Sequence, residues 1–237
     1  MTRRRWIADE VSEGRAALVG EHASHLVRVL RARVGQEFDI STGDSVRRGR
    51  ITRLSGDRVE FELGNEIPAN SSVAITLLLS VFKFDRMEWA IEKCTELGVT
   101  RIVPVIARRT DAHLAAAAVK RADRWQRIAG QAAEQSRRVA VPEISAPIKI
   151  AEASAFPGSW RILLAECEEQ TLLRDVVQSL SAEDEVILAI GPEGGWTQDE
   201  HESFRQTQWI SASLGDTILR AETAAIAATA IVASALL

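Results

Sequence analysis

Three short segments hold the residues best suited to chemistry, and each stands directly after an expected β-strand. They are Leu163-Leu164-Ala165-Glu166-Cys167, Ile190-Gly191-Pro192-Glu193-Gly194-Gly195-Trp196, and the stretch from Ser213 to Ala224 that contains Leu214-Gly215-Asp216-Thr217-Ile218-Leu219-Arg220. In open α/β sheets, ligands bind beyond the carboxyl ends of the strands. Gly191, Gly194 and Gly195 let the backbone approach a ligand closely, and Pro192 stiffens the turn. Backbone N–H and C=O groups in such a loop can read an adenine edge without any side chain. No Lys-Ser/Thr follows the glycines, so a Walker-type phosphate loop is excluded, and the spacing is not that of a dinucleotide fingerprint. A tight strand-to-helix turn with no ligand remains the alternative for this loop taken alone.

The elements that must position these loops alternate between strand and helix from Val73 onward. Val73–Val81 is a continuous apolar run, as expected for a strand covered on both faces. A helix follows, with Asp85 as expected N-cap, Glu88 three residues on, Gly98 past its end, and a buried stripe of Met87, Ala90, Ile91, Cys94 and Leu97. Further strands are expected at Arg101–Ile106, Ile162–Ala165, Val186–Ile190 and Trp209–Ala212. Helices are expected from about Lys120 to Val139, near Leu172–Leu180, and at Gln198–Gln206 behind a Thr197/Glu200 capping box. Ala221–Leu237 is nearly all apolar but short and Ala-rich, which fits a helix buried on all sides in a core better than a membrane span. This alternation predicts an α/β domain with a largely parallel sheet over 71–237. Residues 1–70 read as a separate β-rich module with a helix over Glu21–Arg31, strands at Glu37–Ser41, Val46–Leu54 and Arg58–Leu63, and a linker at Asn65–Ser72.

Charge is unevenly spread along the 237 residues. The net −4 arises wholly in the last part: residues 146–237 hold 5 Lys/Arg against 14 Asp/Glu, whereas 1–70 hold 12 against 11 and 71–145 hold 12 against 8. Arg3, Arg4, Arg5, Arg28, Arg31, Arg33, Arg47, Arg48, Arg50 and Arg53 crowd the first quarter. A guanidinium donates two parallel hydrogen bonds to phosphate, so the cluster points to RNA as much as to a solvated surface. Arg220 and Glu222 stand between an apolar strand and an apolar helix, where charge is costly unless paired or functional. Either they form an internal ion pair that fixes the loop, or Arg220 orients an RNA phosphate or target base while Glu222 holds the loop or a ligand hydroxyl. The two cysteines, Cys94 and Cys167, have no metal-ligand spacing, nor have the histidines His22, His25, His113 and His201; reduced, buried thiols in a cytoplasmic protein are expected, with no metal. The N-terminus has no apolar signal region, so neither secretion nor a membrane location is expected.

GPEGGWT, LGDTILRAETAAIAA, KFDRMEWAIEKCTELGV and AEQSRRVAVPEI resemble, in order, the motifs of the RsmE family of 16S ribosomal RNA methyltransferases, and HLVRVLRARVGQEFDISTGD resembles that family's RNA-binding module. The resemblance covers almost the whole chain. It implies a SPOUT-type α/β domain tied in a trefoil knot, a small PUA-like β-barrel before it, and a homodimer with cofactor sites near the subunit interface. The implied cofactor is S-adenosyl-L-methionine and the implied product N3-methyluridine near the 3′ end of 16S RNA, formed on the small ribosomal subunit. Carried over by position, the cofactor would be held by Leu164, Ala165 and Glu166, by Ile190, Gly191, Pro192, Glu193, Gly194, Gly195 and Trp196, and by Leu214, Gly215, Ile218, Leu219, Arg220 and Thr223. RNA contact would fall to Arg4, Arg5, His25, Arg28, Arg31, Lys83, Lys93 and Arg138. Two positions depart from the family pattern: Asp216-Thr217 where basic residues are frequent, and Arg137 where glycine is frequent.

Methyl transfer from a sulfonium is an in-line displacement, helped mainly by positioning and electrostatics. The proton on uridine N3 must leave, so a base or a cation stabilising the O2/O4 enolate is required. Arg220 is expected in the second role; Glu222, the other catalytic candidate, is expected to be its structural partner more than a base. Two rival classes are a ribosome-assembly factor that kept the fold without the activity, and an enzyme of the same fold acting on transfer RNA.

Overall fold

The computed structural model describes residues 5–68 and 74–236. Two compact units are present, one of Met1–Ser71 with Ala133–Val141, the other of Ser72–Ala132 with Pro142–Leu237.

The first unit is one curled six-stranded sheet in the order β1-β4-β5-β6-β3-β2. Its strands are β1 (Arg5–Ile7), β2 (Glu10–Ser12), β3 (Arg15–Val19), β4 (Glu37–Ser41), β5 (Val46–Ser55) and β6 (Arg58–Ile67). Only β1 and β4 pair in parallel. Trp6, Leu18, Leu26, Ile40, Ile51, Val59 and Phe61 fill its core. The expected helix over 21–31 is shorter and changes pitch: α1 (Glu21–Ser24) runs into a π-helical stretch, His25–Val29. The chain leaves it through Arg31 at φ 52°, a left-handed conformation that lets Ala32 N–H donate back to Leu26 C=O at 3.1 Å. Here the buried anchor Leu26 overrides simple helix periodicity.

The second unit carries a seven-stranded sheet in the order β10-β8-β7-β12-β11-β13, with β9 beside β8. The strands are β7 (Ile75–Ser80), β8 (Arg101–Ile106), β9 (Glu143–Ile144), β10 (Ile148–Lys149), β11 (Trp160–Leu164), β12 (Val186–Ile190) and β13 (Ile210–Ala212), and every pairing is parallel. β7 and β12 are buried at every residue, as their unbroken apolar runs require. The helices are α2 (Phe84–Glu96), α3 (Ala112–Ala118), α4 (Ala122–Gln135), α5 (Ile150–Ser154), α6 (Leu173–Val176), α7 (Gln198–Gln206) and α8 (Ala221–Ala235).

Four local expectations are corrected. Lys83, not Asp85, is the N-cap of α2, because Phe84 already packs edge-on against the buried Trp125 at 5.9 Å and starts the helix there; Asp85 sits in the first turn, where its charge favours the helix dipole. The helix expected over 120–139 starts only after a tight turn at Val119–Arg121, as α4, and ends at Gln135. Arg137 lies at φ 58°, while Arg138 N–H donates to Ala133 C=O at 2.9 Å and Arg137 N–H to Glu134 C=O at 3.2 Å. That is the hydrogen-bond pattern of a Schellman C-cap, with arginine at the position glycine favours. The helix α8 is buried along one stripe, Ala221, Glu222, Ala225, Ala228, Thr229, Val232 and Ala233, rather than on all sides; its other faces are half-buried, with Thr223 and Ser234 exposed. Among the described residues, no helix is long and apolar enough to cross a membrane. Cys94 is buried between α2 and α8, where loss of solvation pushes its thiol up to about 12. Cys167 is exposed instead, because it lies in the loop beyond β11.

Candidate active site

Sheet order brings the three loops together. β11 lies between β12 and β13, with Leu163 level with Ala189 and Leu164 level with Ala212. The residues that follow these strands therefore emerge side by side and enclose a cavity of about 560 Å³. That volume falls within the range of small-molecule and cofactor sites.

Backbone geometry shapes the wall. Gly195, at φ 69°, closes a turn in which its N–H donates to Pro192 C=O at 2.8 Å. A Cβ at Gly191 would come within 3.2 Å of the Trp196 ring, so a side chain here would crowd the indole. Trp196 is 7% exposed, and its indole N–H donates to Leu164 C=O at 3.0 Å, joining the first loop to the second. Its ring packs on Phe204 at 5.2 Å, which packs on Trp209 at 4.9 Å. The Thr197/Glu200 capping box forms as expected, and the second carboxylate oxygen of Glu200 accepts Arg108 N–H at 2.7 Å. The Arg109 guanidinium donates to the carbonyls of Gly194 and Trp196, the latter at 3.4 Å.

Among the expected cofactor residues, Leu164, Ala165, Glu166, Ile190–Trp196, Leu214, Gly215, Ile218, Leu219 and Arg220 line the cavity, and Thr223 does not. The two catalytic candidates part company. Arg220 is exposed on the cavity wall and has no ion-pair partner among the described residues. Glu222 is 3% exposed, lies off the cavity, and has one oxygen 3.8 Å from Arg86 Nε. Lys83 lines the cavity as well. Lys93 points elsewhere, bonded to Glu92 at 2.7 Å and Glu96 at 2.8 Å, and these bonds raise its pKa.

The other residues expected to touch RNA belong to the first unit. Arg28 and Arg31 are exposed, with no ion pair among the described residues. His25 is half-buried, its ring edge-on to Trp6 at 5.7 Å. Arg5 donates to the Arg137 carbonyl, and burial pushes the Arg138 guanidinium down to about 10. Arg4 lies outside the described residues.

Sequence reading missed Arg86, Arg109 and His201 on this wall, where Cys167 of the first segment also lies. Arg86 and Arg109 follow the carboxyl ends of β7 and β8, so the rule that singled out the three loops would have found them had it been applied to every strand. Asp216 also lines the cavity, which thus carries Lys83, Arg86, Arg109 and Arg220 against Glu166, Glu193 and Asp216. Burial lowers the pKa of His201, whose Nε2 lies 3.6 Å from Cys167 Sγ. Among the described residues, no three His, Cys, Asp or Glu side chains gather as a metal site.

Comparison with known proteins places the chain. A family model for an RNA methyltransferase domain matches residues 69–233, and one for an RNA methyltransferase PUA domain matches residues 19–64. The ribosomal RNA small subunit methyltransferase E of Rickettsia conorii is 33% identical over 222 residues, 90% of this chain and 87% of the relative. Its counterpart from a Synechocystis species is 31% identical over 91% of this chain and 72% of the relative. The solved structure of ribosomal RNA small subunit methyltransferase E from Neisseria gonorrhoeae, bound to S-adenosyl methionine, is 31% identical, with TM-score 0.82 over 97% of this chain and 96% of that one. A putative methyltransferase from Legionella pneumophila, also with bound cofactor, gives TM-score 0.83 at 28% identity over 99% of this chain and 98% of that one. Matched along nearly its whole length, the chain belongs to the RNA methyltransferase family that includes ribosomal RNA small subunit methyltransferase E.

Proposed function

We propose that this protein methylates N3 of a uridine in 16S ribosomal RNA, using S-adenosyl-L-methionine, on the assembled small subunit and as a homodimer. The observation that carries the reading is the convergence of three loops on one cavity, in a chain that shares its family with small-subunit methyltransferases.

The residues present fit the cofactor. Gly191 leaves a bare backbone where a side chain would meet Trp196, and the cavity is of ligand size. Leu164–Glu166, Ile190–Trp196 and Leu214–Arg220 would hold it, with backbone groups reading the adenine and Glu166 available to hydroxyl groups. When bound, S-adenosylmethionine supplies a methyl group on a positively charged sulfur that an in-line nucleophile displaces. Arg220, exposed at the cavity wall, donates to the uridine oxygens as N3 gives its proton to solvent water, lowering the cost of the anion. Glu222, buried and off the cavity, serves the fold of the site rather than taking that proton. Lys83 and the exposed Arg28 and Arg31 would meet RNA phosphates. Ile218, 81% exposed on the third loop, is an apolar side chain that a second copy or the substrate would cover.

Titrating S-adenosylmethionine into the purified chain in a calorimeter is expected to show saturable binding in the roughly 1–100 μM range usual for enzyme ligands. No heat of binding at about 1 mM cofactor would remove the reading.

A further inference from the structure

We propose that Arg86 is a positioning residue of this site, a strut that ties the glycine loop to the first turn of the last helix and thereby holds the cavity at the width the cofactor needs. The inference rests on the cofactor reading above and extends it to a residue with no assigned role.

Arg86 stands in the first turn of α2, just beyond β7, and is half-buried on the cavity wall. Two of its nitrogens serve two carboxylates from separate parts of the chain. Nη1 bonds Glu193 of the loop beyond β12, and Nε lies 3.8 Å from Glu222 in the first turn of α8. Both ends belong to the cavity: Glu193 lines it, as do Ala221 and Ala224 on either side of Glu222.

Glu222 makes the arrangement more than a surface ion pair. It is 3% exposed, Arg86 is its one ion-pair partner among the described residues, and its Oε2 has no hydrogen-bond partner there. The α8 N-terminus favours the negative charge, yet a buried carboxylate left without its cation is costly. The strut therefore cannot let go of α8 without leaving that charge alone. Lysine would keep the charge but gather its donors on one nitrogen, without the two separate nitrogens by which Arg86 faces Glu193 and Glu222. Arg86 acts through the loop and the helix, so its loss is felt in cofactor retention before it is felt in methyl transfer.

The test is cofactor affinity by calorimetry on the full chain, with folding checked by circular dichroism, and single-turnover rate at saturating cofactor. Arg86→Met and Arg86→Lys are each expected to weaken S-adenosylmethionine about tenfold or more, with the saturated rate within about threefold of the parent. Adding Glu222→Gln to Arg86→Met is expected to recover part of the lost affinity and melting temperature, because a neutral amide needs no cation. A folded Arg86→Met chain with parental affinity overturns the proposal. So does a double variant with no recovery, which would mean that Arg86 touches the cofactor directly. Should Arg86→Met not fold, Glu222→Gln alone carries the test from the buried end, which lies off the cavity. There, about fivefold weaker binding supports the strut and unchanged affinity overturns it. A parent chain that binds no cofactor would defeat the cofactor reading itself, a result distinct from all of these.

Discussion

Arg220→Ala is expected to slow single-turnover methyl transfer about 10²–10³-fold at saturating substrates, the usual cost of removing one donor aimed at developing negative charge. The substitution isolates chemistry from folding. Arg220 is exposed, makes no ion pair among the described residues, and although it occupies the N-cap of α8 its side chain makes no capping hydrogen bond. The helix should therefore survive the change, and cofactor affinity should fall far less than the rate. Arg220→Lys, which keeps the charge without the fork, should recover part of the rate. A normal single-turnover rate in Arg220→Ala would show that another group bears the charge on the uridine oxygens.

Trp196→Ala is expected to have the largest effect on stability. The side chain is buried in the cluster with Phe204, Trp209, Leu163 and Ala189, and its indole N–H holds the Leu164 carbonyl. Emptying such a site costs about 3–5 kcal/mol, and the lost bond leaves a carbonyl without its partner. For a chain of this size that lowers the melting temperature by roughly 10 °C. Trp196→Phe keeps most of the packing and gives up the bond, and should cost about 1–2 kcal/mol. Cofactor binding should suffer in both variants, because the bond is what joins the first loop to the second. Thermal unfolding followed by tryptophan fluorescence and circular dichroism checks this; a Trp196→Ala chain melting within about 2 °C of the parent would mean that the cluster is not what holds the loop.

Much of this site was legible because its signals are local. β7 and β12 announce themselves as unbroken apolar runs, and the Thr197/Glu200 box lies within four residues. The glycine loop and the segment that begins at Ser213 each follow a strand directly. What escaped depends on sheet order. Arg86 and Glu193 are separated by 107 positions and Arg109 and Gly194 by 85; they meet because β7 lies between β8 and β12. No spacing along the chain encodes that order.

Three parts of the first unit escaped for a different reason: β1, β2 and the π-helical turn. β1 and β2 have three residues each, and β2 is exposed throughout, so neither offers the alternation by which a strand is recognised. The π-helical turn over His25–Val29 answers to the burial of Leu26, a tertiary demand. Arg137 was visible as a departure from a family glycine, and the left-handed φ of 58° now gives that departure a physical meaning. A non-glycine residue there costs about 1–2 kcal/mol. Asp216, the other departure, proves to line the cavity and adds a carboxylate to a wall of mixed charge.

The most direct test of the central claim is to incubate the purified protein and labelled S-adenosylmethionine with small ribosomal subunits from a strain lacking its gene, then identify the modified nucleoside by mass spectrometry. The account predicts label in 16S RNA, recovered as 3-methyluridine. Label in a different nucleoside, or none in the subunit while the protein still binds the cofactor, would contradict it.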